Sequence, residues 1–409
     1  MANHNEVSLL RLSSARRRID AFLDQIDDLA TSSFPHNDGK KALEIIRLQF
    51  VGMRGRLDMP VGAAEALIDQ TCLHVADQVS DYTEVLGFIL RSTNVRNPFE
   101  LHFALKKLIE HAIGPDAKLL ISSEWAFLPF TYPMSIEMLP DFVLIGSPAP
   151  ESGNVLIAPL AGHEIGHSAW RRYGLFNEYS AIVAQTVADE LAAHPKIEEA
   201  LLHQEQLEAL GARIIRDRCG KHAIHQLEEV FCDLFGLYLF GASYIFAYDY
   251  LLAPGGYDRN LGYPSDARRM DILREAALKI GIKIDDTVTR RWNVASCRAE
   301  ARNTASIVDA VAERIVPTMR YDLFARLSKL HVLLPDDKTV SAVQSAFERG
   351  EPYAKSASLA EIISAGWLYL RKKGGMAADN QREQYKVLGD LMLKSIEVAE
   401  YLERSASDA

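Results

Sequence analysis

Apolar residues recur at three- and four-residue steps through the first 113 residues of the chain. In residues 14–30, for example, Ile19, Phe22, Ile26 and Leu29 fall on one side of a helix with this repeat. Asn97 and Pro98 are typical of the start of a helix, and Gly114 of its end. The pattern predicts amphipathic helices over residues 14–30, 40–57, 63–92 and 97–114.

The pattern changes after residue 115. The segments KLLISSEWAF (118–127), DFVLIGSP (141–148) and GNVLIAP (153–159) are short and apolar, and Pro/Ser/Gly-rich residues separate the last two. This composition predicts three strands of a small sheet. Pro159 is then expected to open a helix.

Most of the remaining chain has helical periodicity, with a break at His194 and one long run over residues 222–254. Within that run, the 15 residues from Leu234 to Tyr248 carry no charge. A bilayer span needs about 20 apolar residues, so this segment predicts a buried helix and no membrane span. The predicted fold class is mainly α with a small β-sheet (α+β). The predicted regions are a helical region (1–115), a core (116–290) with an inserted helical hairpin near 177–220, and a second helical region (291–409).

The sequence LAGHEIGHSAW places His163 and His167 four residues apart. On a helix both imidazoles share one face and can bind one metal ion. Glu164 is rotated by about 100° from His163, which puts its carboxylate beside the ion, where it can take a proton from metal-bound water. Gly166 leaves room for another backbone to approach.

A catalytic zinc ion needs a third protein ligand. Glu229 and Asp233, one helical turn apart, interrupt an apolar segment, and buried carboxylates are costly unless they are paired or bind metal. Glu229 is the expected ligand, with Asp233 accepting a hydrogen bond from the outer ring nitrogen of a ligating histidine. Glu228 is the competing ligand, but only one of two adjacent glutamates can face the ion.

This combination, His163-Glu164-x-x-His167 followed by Glu229-x-x-x-Asp233, resembles the gluzincin group of zinc metallopeptidases. The resemblance covers about 90 residues and implies a zincin-like catalytic core between helical flanks. It also implies that His163, His167 and Glu229 bind one zinc ion per chain, that Glu164 is the general base, and that Asp233 supports His163. A strand at 141–148 or 153–159 would then pair with a peptide substrate. The 61 residues between His167 and Glu229 exceed the gap in compact members, which is the reason for the predicted hairpin.

Peptide hydrolysis also needs a donor for the developing oxyanion. The segment NLGYPSDARRMD supplies Tyr263, Arg268 and Arg269. It has a weak similarity to a Pro-x-x-x-x-Arg stretch of some membrane-associated gluzincins. Tyr263 and Arg268 are the predicted donors, with roles in a turn or a helix cap as the alternative. His222 and His225 precede Glu229 on the same predicted helix. His225 is in phase with Glu229 and a candidate to face the cleft, but the expected role is that of a polar histidine at the start of the helix.

Charge and cysteine content narrow the class of protein. A net charge of -10 argues against general nucleic-acid binding, which needs a basic surface. Four widely separated cysteines and an N-terminus without a secretory pattern predict a cytoplasmic location. The leading hypothesis is a zinc metallopeptidase acting on a peptide or protein. The alternatives are a helical binding or regulatory protein with a structural or vestigial metal site, and a zinc hydrolase of a non-peptide amide.

Overall fold

A computed structural model describes residues 4–60, 62–94, 98–126, 129, 131, 138–204, 211–256, 258–284, 288, 292, 293, 295–372 and 381–407. The chain divides into two compact units. The first contains residues 1–97 and 116–152, and the second contains residues 98–115 and 153–409. The described residues are mainly helical with one two-stranded sheet, so the predicted fold class is confirmed.

The first unit is a group of three long helices with a small sheet. Its described elements are α1 (His4–Ala30), α2 (Asn37–Arg56), α3 (Glu65–Arg91), a 3-10 turn (Ser92–Asn94), β1 (Lys118–Glu124), β2 (Phe142–Pro148) and a second 3-10 turn (Ala149–Glu151). The apolar stripes predicted from the sequence form its core. Phe50 of α2 is fully buried and contacts the rings of Phe22 and Tyr82 at centroid distances of 5.3 and 5.7 Å.

The two strands pair in parallel, from Lys118 opposite Phe142 to Glu124 opposite Pro148. Burial on both faces is typical of parallel strands and explains their continuous apolar composition. The buried Asp38, at the start of α2, accepts a hydrogen bond from the backbone nitrogen of Leu119 at 3.2 Å. This bond fixes the beginning of β1 against the helices.

The prediction of a strand at residues 153–159 is wrong. Residues Val155–Leu160 form a 3-10 helix, because the Asn154 side chain caps the turn by accepting a hydrogen bond from the backbone nitrogen of Leu156. A short apolar run of this kind does not distinguish a buried strand from a buried helical turn. The substrate strand expected there is therefore excluded. The other candidate, 141–148, forms β2 of the first unit.

The second unit is mainly helical, and its described residues contain no strand beyond an isolated β-bridge between Asp258 and Ser296. Its helices are α4 (Phe99–Ala112), α5 (Ala161–Arg172), α6 (Leu175–Ala193), α7 (Pro195–Gln204), α8 (Gly211–Phe240), α9 (Ala242–Leu252), α10 (Asp266–Lys279), α11 (Arg302–Lys329), α12 (Asp337–Glu348), α13 (Leu359–Lys372) and α14 (Gln381–Ser407), with 3-10 turns at Val155–Leu160 and Ala299–Ala301.

Helix α4 belongs to this unit because it packs on the C-terminal helix α14. Lys107 forms an ion pair with Glu403, and the Arg404 guanidinium lies over the ring of Phe103, 4.6 Å from its centroid. These long-range contacts are why the unit boundaries differ from the three regions predicted along the sequence.

The long helix predicted over residues 222–254 is interrupted. Helix α8 ends at Phe240, and Gly241 adopts φ 60°, a conformation that favours glycine. Helix α9 then folds back, so that Tyr244 packs against Gly236. The apolar segment is buried, as expected, and no described helix is long and apolar enough to cross a bilayer.

Candidate metal centre

The candidate centre lies where α5 crosses α8, and glycines bring the two backbones into contact. A Cβ atom added to Gly162 would lie 2.8 Å from the Cα of Gly236, and one added to Gly166 would lie 2.7 Å from the Cα of Cys232. Both distances are shorter than real carbon contacts. Gly162 faces Gly236 and Gly166 faces Cys232, so α5 and α8 run antiparallel. This direction brings the two histidines of α5 to the carboxylates of α8.

The inner nitrogens of both histidines face one carboxylate. His163 Nε2 lies 3.3 Å from Glu229 Oε2, and His167 Nε2 lies 3.8 Å from Glu229 Oε1. Zinc binds nitrogen and oxygen at 2.0–2.2 Å, so two tetrahedral ligands are about 3.4 Å apart. Both separations between the histidines and Glu229 are close to this value, and they involve different oxygens of the carboxylate.

The outer nitrogens are each held by a second carboxylate. His163 Nδ1 lies 3.0 Å from Asp233 Oδ1, and His167 Nδ1 lies 3.0 Å from Glu228 Oε1. A carboxylate at Nδ1 favours the tautomer that leaves the Nε2 lone pair for a metal ion. Glu228 was considered from the sequence only as a rival ligand. Its contact with His167 instead gives it the same supporting position that Asp233 has at His163.

Asp233 is the centre of a buried hydrogen-bond network. Arg269 donates to both of its oxygens, from Nε at 2.7 Å and from Nη2 at 2.8 Å, and the Tyr244 hydroxyl donates at 2.8 Å. Burial alone would raise the pKa of the Asp233 carboxyl, but the charge and hydrogen bonds of Arg269, together with those of His163, hold that pKa well below its usual range. Asp233 therefore stays ionised and keeps His163 oriented.

The arginine in the centre is Arg269 rather than Arg268. Arg268, the predicted oxyanion donor, forms an ion pair with Glu313 at 3.1 Å, and its side chain is 42% exposed. Ser265 caps α10, which sets the phase of the helix and turns Arg269 towards Asp233 and Glu229. The five-residue spacing from Pro264 in the Pro-x-x-x-x-Arg pattern also leads to Arg269, so the sequence contained this signal.

Glu164 lies beside the two imidazoles and is only 5% exposed. Burial raises the pKa of its carboxyl, while the neighbouring His163 and His167 act in the opposite direction. A carboxylate whose pKa is moved towards neutrality is a better proton acceptor and donor near pH 7 than an exposed one.

A proton on His163 partly balances the charge of the buried carboxylates. Burial would lower the pKa of His163, but hydrogen bonds with Asp233 and Glu229 outweigh it and raise the pKa to about 10. Burial would raise the pKa of Glu229, but its bond with His163 and the charges of His163, Arg269 and His167 together lower it. The donor set therefore favours a positive charge at its centre, which a divalent cation can supply.

Tyr263 borders the centre on a loop and is 41% exposed. Burial and the negative charge of Glu229 raise the pKa of its hydroxyl, which keeps it protonated and able to donate. Its ring contacts that of His225 at a centroid distance of 5.4 Å. His225 bonds through Nδ1 to the carbonyl oxygen of Gly262 at 2.9 Å, so it supports the loop that carries Tyr263.

His222 lies about one turn before His225 on α8 and is half-buried. Burial lowers the pKa of its imidazole, and the nearby charges of Arg218 and His225 lower it further.

Cys232 is a further potential metal ligand, beside Glu229, which the sequence had not indicated. Its sulfur and one nitrogen of each histidine, His163 and His167, all lie within 4.8 Å of one another. Burial raises the pKa of this thiol well above its usual value, and the surrounding carboxylates add to the effect. Glu229 lies 3.3 and 3.8 Å from the two Nε2 atoms, the ring nitrogens that Asp233 and Glu228 leave free.

No protein-family model, curated protein or solved structure matches the chain.

Proposed function

We propose that the protein is a zinc-dependent metallopeptidase of the gluzincin type. One observation carries the proposal: two histidine Nε2 atoms and the Glu229 carboxylate converge, while Asp233 and Glu228 hold the two Nδ1 atoms. His163, His167 and Glu229 would hold the ion. Three protein ligands leave one position for water or substrate, which is the arrangement of catalytic zinc sites.

When bound, the ion would supply a Lewis acid that polarises a substrate carbonyl and acidifies water. Glu164 would take the proton from the attacking water and pass it to the nitrogen of the leaving amine. Its burial favours this role, because burial raises the pKa of the carboxyl group and so makes the carboxylate a stronger base. Tyr263 would donate a hydrogen bond to the carbonyl oxygen as negative charge develops on it.

Glu164→Gln tests this proposal. The variant keeps the three ligands, so we expect about one zinc per chain in both proteins by metal analysis, as for a single site with three protein ligands. Peptide-library cleavage by the variant should fall by roughly 10²–10⁴-fold, the range for removing a general base.

The matched control is Glu178→Gln, which changes an exposed glutamate on α6. It should keep both zinc and activity. If metal-loaded wild-type protein cleaves no peptide in the library, the peptidase proposal fails.

Cys232 favours a second candidate function, a closed structural metal site in a helical binding protein. If its thiolate joined His163, His167 and Glu229, four protein ligands would surround the ion, as is common in structural zinc sites. Cys232→Ser separates the two candidates. A large loss of zinc affinity would support the structural site, whereas unchanged affinity with retained cleavage would support the peptidase.

A further inference from the structure

The loop that carries Tyr263 is attached to the helix that carries Glu229. Between β-bridge residue Asp258 and the α10 cap Ser265, the loop turns at Asn260, whose backbone oxygen accepts a hydrogen bond from the backbone nitrogen of Tyr263 at 3.2 Å. The Asn260 side-chain oxygen accepts a second bond from the nitrogen of Gly262 at 2.9 Å. These bonds shape the loop but do not connect it to the metal centre.

Gln226 makes that connection. Its Nε2 donates to the carbonyl oxygen of Leu261 at 2.9 Å and to that of Tyr263 itself at 3.3 Å. Gln226 is fully buried and lies three residues before Glu229, less than one turn away on α8. Gln226 therefore links the backbone of Tyr263 to the helix that supplies the third ligand, next to the bond from His225 of the same helix to the Gly262 carbonyl.

The chemistry of Gln226 indicates that its amide donors are what matters. Its Oε1 is buried and has no hydrogen-bond partner among the described residues, which is unfavourable for an amide oxygen. A leucine of similar size would avoid that cost but would leave the carbonyls of Leu261 and Tyr263 without their donor. A glutamate would place an acceptor against two acceptors.

We propose that Gln226 is a positioning residue, which holds Tyr263 at the metal centre by binding the loop backbone on both sides of residue 262. This inference rests on the proposed peptidase function for its catalytic consequence, but the positioning itself does not. Tyr263 touches the substrate carbonyl, and Gln226 acts through Tyr263 without touching the substrate.

A double-mutant cycle of Gln226→Leu and Tyr263→Phe tests the coupling. Each single variant should lower kcat by roughly 10–100-fold and leave KM within about threefold, below the full loss for an oxyanion donor. Because Gln226 acts through Tyr263, the double variant should be no slower than Tyr263→Phe alone. Losses that multiply in the double variant would overturn the proposal.

Amide hydrogen exchange of residues 258–265 in the zinc-loaded protein provides a readout that does not depend on activity. Gln226→Leu should increase exchange in this loop by about tenfold or more, since local opening is set by the bonds that close the loop. Exchange in α12 should not change. Unchanged loop exchange would also overturn the proposal.

Two variants control for loss of folding. Gln226→Asn keeps the amide on a shorter side chain and should retain more activity and loop protection than Gln226→Leu. Gln185→Leu, which removes an exposed glutamine from α6, should match wild type in every assay. If wild-type protein proves inactive, the peptidase function fails, and loop exchange alone then decides whether Gln226 positions residue 263.

Discussion

The Arg47–Asp27 ion pair of the first unit lies at the surface, whereas the Arg269–Asp233 pair of the candidate centre is buried. The side chains of Arg47 and Asp27, which bridge α1 and α2, are 45% and 53% exposed. Those of Arg269 and Asp233 are 11% and 1% exposed. An exposed pair costs little to form and contributes little, but a buried pair must overcome a large desolvation penalty. The comparison supports the proposal that the buried charges of α5, α8 and α10 are kept for a metal site rather than for the stability of the fold.

Removing Asp233 should show the largest difference between the two regions. In metal-free Asp233→Asn protein, Arg269 and His163 lose their counter-charge inside the fold. We expect the free energy of unfolding to fall by about 3–5 kcal/mol, as when one partner of a buried pair is removed. Urea denaturation in the presence of a chelator measures this change. Asp27→Asn should leave the unfolding midpoint unchanged, and an equal effect of both substitutions would remove the distinction between the regions.

Glu228→Gln tests whether the carboxylate at His167 Nδ1 raises the affinity of the site for zinc. The amide can still accept a bond from His167 Nδ1, but it carries no charge. Zinc affinity should fall by about 10–100-fold, the range for mutations of groups that support metal ligands. Competition with a fluorescent chelator measures that affinity. Glu178→Gln provides the control, and an affinity equal to wild type would show that Glu228 is only a surface carboxylate.

Adding a methyl group at a helix glycine should have opposite effects in the two regions. Gly166→Ala must push α5 away from Cys232, so we expect a loss of about 1–3 kcal/mol in the free energy of unfolding and weaker zinc binding. Gly52→Ala in α2 meets no atom within 4 Å and should instead stabilise the protein by roughly 0.5–1 kcal/mol through helix propensity. Thermal and urea unfolding of both variants and the wild-type protein measure these changes in the free energy of unfolding. Similar effects at both positions would contradict the close backbone contact.

Part of the candidate centre was predictable because it depends on helical spacing alone. Residues four apart share a helix face, so the pairs His163/His167 and Glu229/Asp233 could be recognised without a fold. The contact between Glu228 and His167 could not, because it requires the antiparallel crossing of α5 and α8 and its register. Tyr244 was also missed, since it reaches Asp233 only after the chain reverses at Gly241.

The fold, too, could be predicted from the sequence only where the helical spacing of apolar residues was long enough to recognise. Long amphipathic stripes predicted α1 to α4 because each contains several turns of periodic apolar residues. The six residues Val155–Leu160 are too short for periodicity to identify, and a side-chain cap at Asn154 decided their conformation. Arg269 could have been chosen over Arg268 by counting from Pro264, but the direction of its side chain depends on where α10 begins.

The glycines at the α5–α8 crossing have a consequence for protein engineering. The side chains proposed to bind the metal would not keep their spacing if they were grafted alone onto an ordinary pair of helices. A bulkier residue in place of either Gly162 or Gly166 would separate the axes by about the thickness of a methyl group. A successful transplant must therefore carry the small residues of the contact along with the donors, because the spacing of the donors is a property of the main chain.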